Sequence, residues 1–228
     1  MSSKRDIQIS KALSYLLRHG AVKENLTMDN DGYVEVSNLL SHQRLKSHKC
    51  TLEDLHRVVD ENDKKRYHIK TGGPDGTTEY VCAVQGHSIK TIKPSEELLE
   101  RVEEVDQLPA NLIHGTSLKN AIQIVESGSI KKLNRNHVHL SIGDTERDDG
   151  VISGMRKSSS VHIYLLNNSE MLDKIQLYKS LNAVYLTPND VDVSLFKVVK
   201  VKKQKSMDKN QEELINLLDS KGINYEFI

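Results

Sequence analysis

The chain has 228 residues, with 32 lysines and arginines balanced by 32 aspartates and glutamates and a hydrophobic fraction of 37%, the profile of a globular protein with one large domain or two small ones. No apolar run approaches the roughly 18 residues of a membrane span, and the start MSSKRDIQIS lacks the apolar stretch of a secretory leader. Cys50 and Cys82 are too few for a disulfide framework and match no metal-ligand spacing, so an intracellular protein, nuclear or cytoplasmic, with no membrane and no obligatory protein partner, is expected.

In chain order, Ile9, Ala12, Leu13, Leu16 and Leu17 recur at three- and four-residue steps and predict a first helix over about residues 6–18, stopped by Gly20. The turn cluster Asp29-Asn30-Asp31-Gly32 leads to a short strand at Tyr33-Val34. Val36, Leu39 and Leu40 predict a second helix, ended by the basic stretch from Arg44 to Lys49. Thr51 caps a third, with Glu53 and Asp54 in its first turn and Leu55, Val58 and Val59 on its buried face. Then the period changes to two: Tyr67 and Ile69 alternate with His68 and Lys70, Gly72-Gly73-Pro74-Asp75-Gly76 makes a loop, and residues 80–84 return. Three helices followed by a hairpin predict a winged-helix lobe over residues 1–92. Residues 93–109, with Pro94, an acidic run and Pro109, read as a linker. In residues 110–228, strands are expected at 112–114, 138–140, 161–166, 183–186 and 197–202, and helices at 118–126 and 212–221. Many short strands with few helices between them make this an α+β fold.

The chemistry is concentrated in a few stretches. Arg18-His19 closes the first helix, Arg66 opens the hairpin strand two residues before His68, and Arg135 precedes His137 and His139. An arginine offers a planar fork of donors that matches phosphate oxygens, so several forks with adjacent imidazoles point to a site for a highly charged phosphate group. Some have a plainer explanation: Arg18 and His19 suit a helix C-terminus by charge, and Lys64 and Lys65 suit a solvated strand edge, whereas Arg66, next to Tyr67 at the start of the strand, is expected to point inward. Gln85-Gly86-His87-Ser88 lies just past the return strand, where hairpin geometry brings it near Arg66. His114-Gly115-Thr116-Ser117 sits at a strand-to-helix junction, with Ser117 placed to cap the helix. No glycine-rich phosphate loop occurs. His137 and His139 share a strand face but have no carboxylate or Cys nearby in sequence, so no metal is expected.

Taken together, LSYLLRH, NDKKRYHIKT, QGHSI, LIHGTS, RNHVHLS and ISGMRK, in this order, resemble the eukaryotic tRNA 2′-phosphotransferases, close to the fungal members, over about residues 9–186. The resemblance implies a winged-helix RNA lobe joined to a lobe of the ADP-ribosyltransferase type. It implies transfer of the splice-junction 2′-phosphate of a ligated tRNA to NAD, used as co-substrate without a metal. The products are then 2′-OH RNA, nicotinamide and ADP-ribose 1″,2″-cyclic phosphate. It also implies a catalytic quartet of Arg18, His19, Arg66 and Arg135. The NAD-binding set is His114, Gly115, Thr116, Ser117, His139, Ser141, Gly154, Arg156, Ser180 and Asn182. Lys64, Gln85 and His87 are the further candidates for RNA phosphate.

Two departures matter. In the wider transferase superfamily a His, a Tyr and a Glu lie on successive strands. Here His114 matches the first, His139 stands for the second, and the strand around Asn182-Ala183-Val184-Tyr185 has no Glu, which disfavours Glu-dependent protein modification. Met155-Arg156-Lys157 lacks the Arg-His-Gly of many family members, so Lys157 is given no role. The alternatives are an ADP-ribosyltransferase acting on nucleic-acid phosphate ends and a non-catalytic winged-helix RNA-binding protein.

Overall fold

The computed structural model describes residues 4–143, 154–203 and 209–228; Ile152 and Ser153 of the ISGMRK motif lie outside them. The fold is α+β, divided into one unit of Met1–Leu99 with Asn134–Asn136 and another of Glu100–Leu133 with His137–Ile228. The division therefore places Arg135 with the first unit, a long way from it in sequence.

In the first unit, α1 (Lys4–Tyr15) buries Asp6, Ile9 and Leu13, an i, i+3, i+7 stripe. The helix does not continue as α to Arg18. Ala21 N–H donates to Leu16 O, five residues back, at 3.0 Å, so Leu16–Gly20 form a π turn. Leu16 and Leu17 remain fully buried through it. β1 (Val34–Glu35) runs directly into α2 (Val36–Leu40). The basic stretch that follows is not the tail of α2 but a separate short helix, α3 (Gln43–Lys46), whose first turn is capped by His42 Nδ1 accepting the Arg44 N–H. α4 (Leu52–Asp60) begins with a reciprocal cap: Thr51 Oγ1 accepts the Asp54 N–H at 3.2 Å and Asp54 Oδ2 accepts the Thr51 N–H at 3.1 Å.

β2 (Tyr67–Gly72) and β3 (Thr78–Ala83) form the hairpin, with Ile69 opposite Val81, and β1 pairs with β3, giving the antiparallel order β1-β3-β2. Ile9, Leu13, Leu16, Leu17, Leu39, Leu55 and Val81 meet in one core. Each such side chain contributes roughly 1.5–3 kcal/mol by leaving water. Arg57 pairs with Asp6 of α1 and Asp54 of α4, and Arg5 also pairs with Asp54, which stitches the two helices along one edge.

The second unit takes over within β4 (Leu99–Val102), and a 3₁₀ turn follows at Val105–Gln107, so residues 93–109, read from the sequence as a linker, contain regular structure. There follow β5 (Ile113–Thr116), α5 (Leu118–Ser127), β6 (Ser129–Ile130), β7 (Val138–Leu140), β8 (Val161–Leu165), α6 (Ser169–Lys174), β9 (Leu177–Ser180), β10 (Tyr185–Thr187), β11 (Val191–Asp192), β12 (Phe196–Val201), α7 (Lys209–Ser220) and β13 (Tyr225–Phe227). They build one sheet of order β4-β9-β10-β7, a second of order β13-β12-β8-β5 and a small β11-β6 pair. The two larger sheets exchange main-chain hydrogen bonds at one place, where Ile113 N–H donates to Ser141 O at 2.9 Å and Ser141 N–H to Ile113 O at 2.8 Å. The core joins α5 and α7 to these strands through Leu118, Ile122, Val125, Leu140, Ile163, Leu214 and Leu218. Among the described residues no helix is long and apolar enough to cross a membrane.

Candidate functional site

The π turn is the starting point in the first unit. An i→i−5 hydrogen bond widens the helix by one residue per turn, and such turns recur where a helix must re-aim a side chain. Here it carries Arg18 and His19. Arg18 is half-buried, and its Nε and Nη2 are shielded from solvent with no hydrogen-bond acceptor among the described residues. Buried donors are almost always paired, and an unmade bond costs about 1–3 kcal/mol, more when the group is charged. This guanidinium is therefore an unsatisfied donor set held in place by the fold.

Residues 85–88 hold it there. Gly86 has φ +91°, which a side chain would strain, and a Cβ at this position would lie 3.3 Å from Arg18 Nε and 3.4 Å from Arg18 Cδ. The arginine thus lies flat against a glycine. Ser88 N–H donates to Arg18 O at 2.9 Å, and the Ser88 hydroxyl sits 2.9 Å from His19 Nδ1. His87 O accepts the Asn136 N–H at 2.9 Å. The Asn136 side-chain amide donates to Ile89 O at 2.9 Å, and the Lys90 ammonium lies against the carbonyls of Asn134 and Arg135. These bonds fix the segment that carries Arg135.

Arg66 is placed from the other side: its N–H donates to Asn62 Oδ1 at 3.1 Å and its O accepts the Val84 N–H at 3.0 Å. Next to it the buried Tyr67 hydroxyl bonds Ser10 and Ser14 of α1. One four-residue loop thus touches the Arg18 side chain, the His19 ring and the Arg135 segment, and it follows the strand paired with that of Arg66.

The electrostatics agree with this gathering. Burial pulls the Arg18 guanidinium down to about 10; the Arg66 and Arg135 cations push the same way and the Tyr67 phenol opposes them. Burial also lowers His19, helped by Arg18 and Arg135. Like charges affecting one another in this way, with no carboxylate in either set, make a locus that favours an anion.

The other phosphate candidates fare differently. Lys64 and Gln85 are half-buried. His87 is 4% exposed, and its ring faces the Cα of Gly32, so it stands under the Asp29–Gly32 turn and not toward solvent. Ser88 and Asn136, which the sequence reading passed over, do more to build the site. The sequence signal for Ser88 is QGHS itself, where a hydroxyl follows a glycine and an imidazole.

In the second unit, His114 is half-buried on β5. Its Nδ1 donates to His139 O at 3.1 Å, next to the Ile113–Ser141 exchange. A side chain there takes a bond that a main-chain ladder would otherwise make, and the carbonyl partner fixes the proton on Nδ1, leaving Nε2 the acceptor in the neutral ring. Met155 covers Gly115 so closely that a Cβ would fall 2.4 Å from its Cγ. Thr116 and His139 are buried.

The hydroxyls expected to meet the cofactor are used locally. Ser117 Oγ accepts the Asn120 N–H and caps α5, whose Leu118 N–H goes to Ser160 Oγ. Ser141 Oγ reaches Ile113 O and Gly143 O. Ser180 Oγ lies 2.8 Å from Asn182 Oδ1 and 2.9 Å from Val184 O, inside a turn. Gly154 and Arg156 are exposed. Among the described residues no group of three or more His, Cys, Asp or Glu is arranged to hold a metal ion.

The model of the RNA 2′-phosphotransferase, Tpt1 / KptA family matches residues 4–189. A Saccharomyces cerevisiae protein named tRNA 2′-phosphotransferase is 51% identical over 226 residues, 99% of this chain and 96% of that one. The Homo sapiens tRNA 2′-phosphotransferase 1 is 39% identical over 188 residues, 82% of this chain and 71% of its own. A Fusobacterium nucleatum protein named probable RNA 2′-phosphotransferase is 36% identical over 183 residues, 80% and 93% respectively.

Proposed function

This chain belongs to the RNA 2′-phosphotransferase, Tpt1 / KptA family, and we propose that it removes the splice-junction 2′-phosphate of ligated tRNA by passing it to NAD. The observation that carries this reading is the Arg18 guanidinium, half-buried with two shielded, unanswered donor nitrogens and influenced by the Arg66 and Arg135 cations. A dianionic 2′-phosphate answers both deficits at once: it accepts the orphan donors and neutralises the crowded charge. A backbone phosphodiester, with a single charge, does so less well.

On this reading the first unit, helices followed by a three-stranded antiparallel sheet, is a winged-helix lobe that grips RNA. The second is an ADP-ribosyltransferase-type lobe. Its residues fit a dinucleotide by their chemistry: His114, held with its proton on Nδ1, offers Nε2 to a ribose hydroxyl, and the exposed Arg156 suits a diphosphate. NAD supplies the electrophilic ribosyl carbon that takes up the phosphate, with nicotinamide as the leaving group.

The protein's own residues have little covalent chemistry to perform. The 2′-phosphate is already an anion, so its transfer to the ribosyl carbon requires no general base. Arg18, Arg66 and Arg135 orient it and would stabilise the charge spread over the phosphoryl oxygens as the ribose 2″-hydroxyl, giving up its proton, forms its bond to phosphorus and the bond to the RNA 2′-oxygen breaks. His19 holds a proton for the departing 2′-oxygen. The test is RNA with an internal, labelled 2′-phosphate incubated with and without NAD. Label in ADP-ribose 1″,2″-cyclic phosphate, only with NAD, is the expected result; label that stays in RNA or leaves as inorganic phosphate without NAD counts against the reading.

A further inference from the structure

We propose that Ser88 is the positioning residue of His19, its hydroxyl oxygen accepting the Nδ1–H so that Nε2 is the nitrogen presented to the departing 2′-oxygen. The inference rests on the reading above and adds to it a residue and a protonation geometry. Ser88 is placed rigidly for this: its N–H is spent on Arg18 O at 2.9 Å, and its hydroxyl lies 2.9 Å from His19 Nδ1. Both bonds reach the same π turn, so main chain and side chain of one residue brace the two functional groups next to each other.

The surroundings explain why an acceptor is needed. The charged groups that act on His19 are Arg18 on its own turn and Arg135 from Asn134–Asn136; Arg66 and the Tyr67 phenol act in turn on Arg18. The arginines are donors only, and cations on two sides disfavour an imidazolium. A hydroxyl that accepts from Nδ1 supports the protonated ring without introducing a carboxylate, which would compete with the substrate phosphate for Arg18. A serine suits this place better than an aspartate would for that reason.

The sign follows. His19 is needed in its protonated form, so turnover is present below its pKa and declines as pH rises through it. Removing the acceptor lowers that pKa further, and the decline must move to lower pH. The experiment is the pH profile of kcat on 2′-phosphorylated RNA with saturating NAD for wild type, Ser88→Ala, Ser88→Cys and Ser88→Thr. Product identity in the wild type tests the assigned reaction separately, so the two can fail independently.

For Ser88→Ala we expect about a tenfold fall in kcat near neutral pH, less than the roughly 10²–10⁴-fold that the general acid itself supplies, a decline displaced to lower pH, and an unchanged KM for NAD. Ser88→Cys fills the same space with a weak acceptor and is expected to show the same displacement, which keeps the test open if the alanine variant folds poorly. Ser88→Thr, which keeps the hydroxyl, is expected to restore the wild-type profile. A rate reduced equally at every pH with the decline unmoved, or a cysteine variant with the wild-type profile, overturns the assignment.

Discussion

The two units treat their polar side chains in opposite ways. In the first, Arg18, His19, Arg66 and Arg135 come from distant parts of the chain and are brought together by main-chain bonds around residues 85–88, while two Arg18 donors are left unanswered. In the second, serines that the family resemblance points to also bond within the fold: Ser117 caps a helix, and Ser141 and Ser180 reach neighbouring carbonyls. The contrast shows where binding energy has been held in reserve. A shielded guanidinium with two unanswered donor nitrogens is suited to receive an anion, whereas serines of the second unit also serve its own fold.

The largest expected effect breaks the first half of this contrast. Arg135→Ala should lower turnover by about 10³-fold or more, the scale of an arginine acting on a transferring phosphoryl group, while circular dichroism and the melting temperature stay at wild type. Asn136 and Lys90 anchor the main chain of this segment, and their bonds are untouched by the substitution. Arg66→Lys sharpens the point by keeping the charge and losing the fork. A fall of about 10²-fold is expected, with RNA bearing ADP-ribose on its 2′-phosphate accumulating on a gel if departure of the 2′-oxygen depends on the fork.

The second half is probed by Ser117→Ala. Stability should drop by about 1 kcal/mol, the usual value of a lost helix cap, read by denaturant unfolding, with KM for NAD within twofold of wild type. A large rise in KM with no change in stability would mean the hydroxyl serves the ligand after all. The smallest effect concerns the edge of the first unit. The Asp54 carboxyl is held well below the ordinary range by hydrogen bonds from Arg5, then by the Thr51 N–H and Arg57. A depressed folded-state pKa gives stability that is present above the unfolded carboxylate value of about 3.9 and is lost as pH falls below it. Asp54→Asn should therefore flatten the acid side of the stability profile and leave neutral-pH activity unchanged.

Much of the first unit was legible because its signals are periodic. The stripe through Ile9 and Leu13, the Thr51 cap and the two-residue alternation after Arg66 all became the elements they indicate. The π turn was not, since Leu16 and Leu17 stay buried whether the turn closes at four residues or five. α3 was missed because its four residues are too few to show a period. In the second unit, β9 and β13 offer four and three residues, too short for alternation to register, and β4 lay under charged residues that read as a linker. The basic and imidazole residues announced the phosphate chemistry. What gathers them did not show, because it is carried by main-chain atoms of residues 85–88 and 134–136, which leave no mark on side-chain pattern.

If the first unit's cations close on one 2′-phosphate, a binding measurement reaches it without turnover. Calorimetric affinities without NAD would be compared for a short RNA with an internal 2′-phosphate and its 2′-hydroxyl counterpart, using wild type and Arg18→Ala, Arg66→Ala and Arg135→Ala. Wild type should prefer the phosphorylated RNA by well over tenfold, and each single substitution should erase most of that preference while binding of the hydroxyl RNA changes little. A preference that survives all three substitutions would contradict the account.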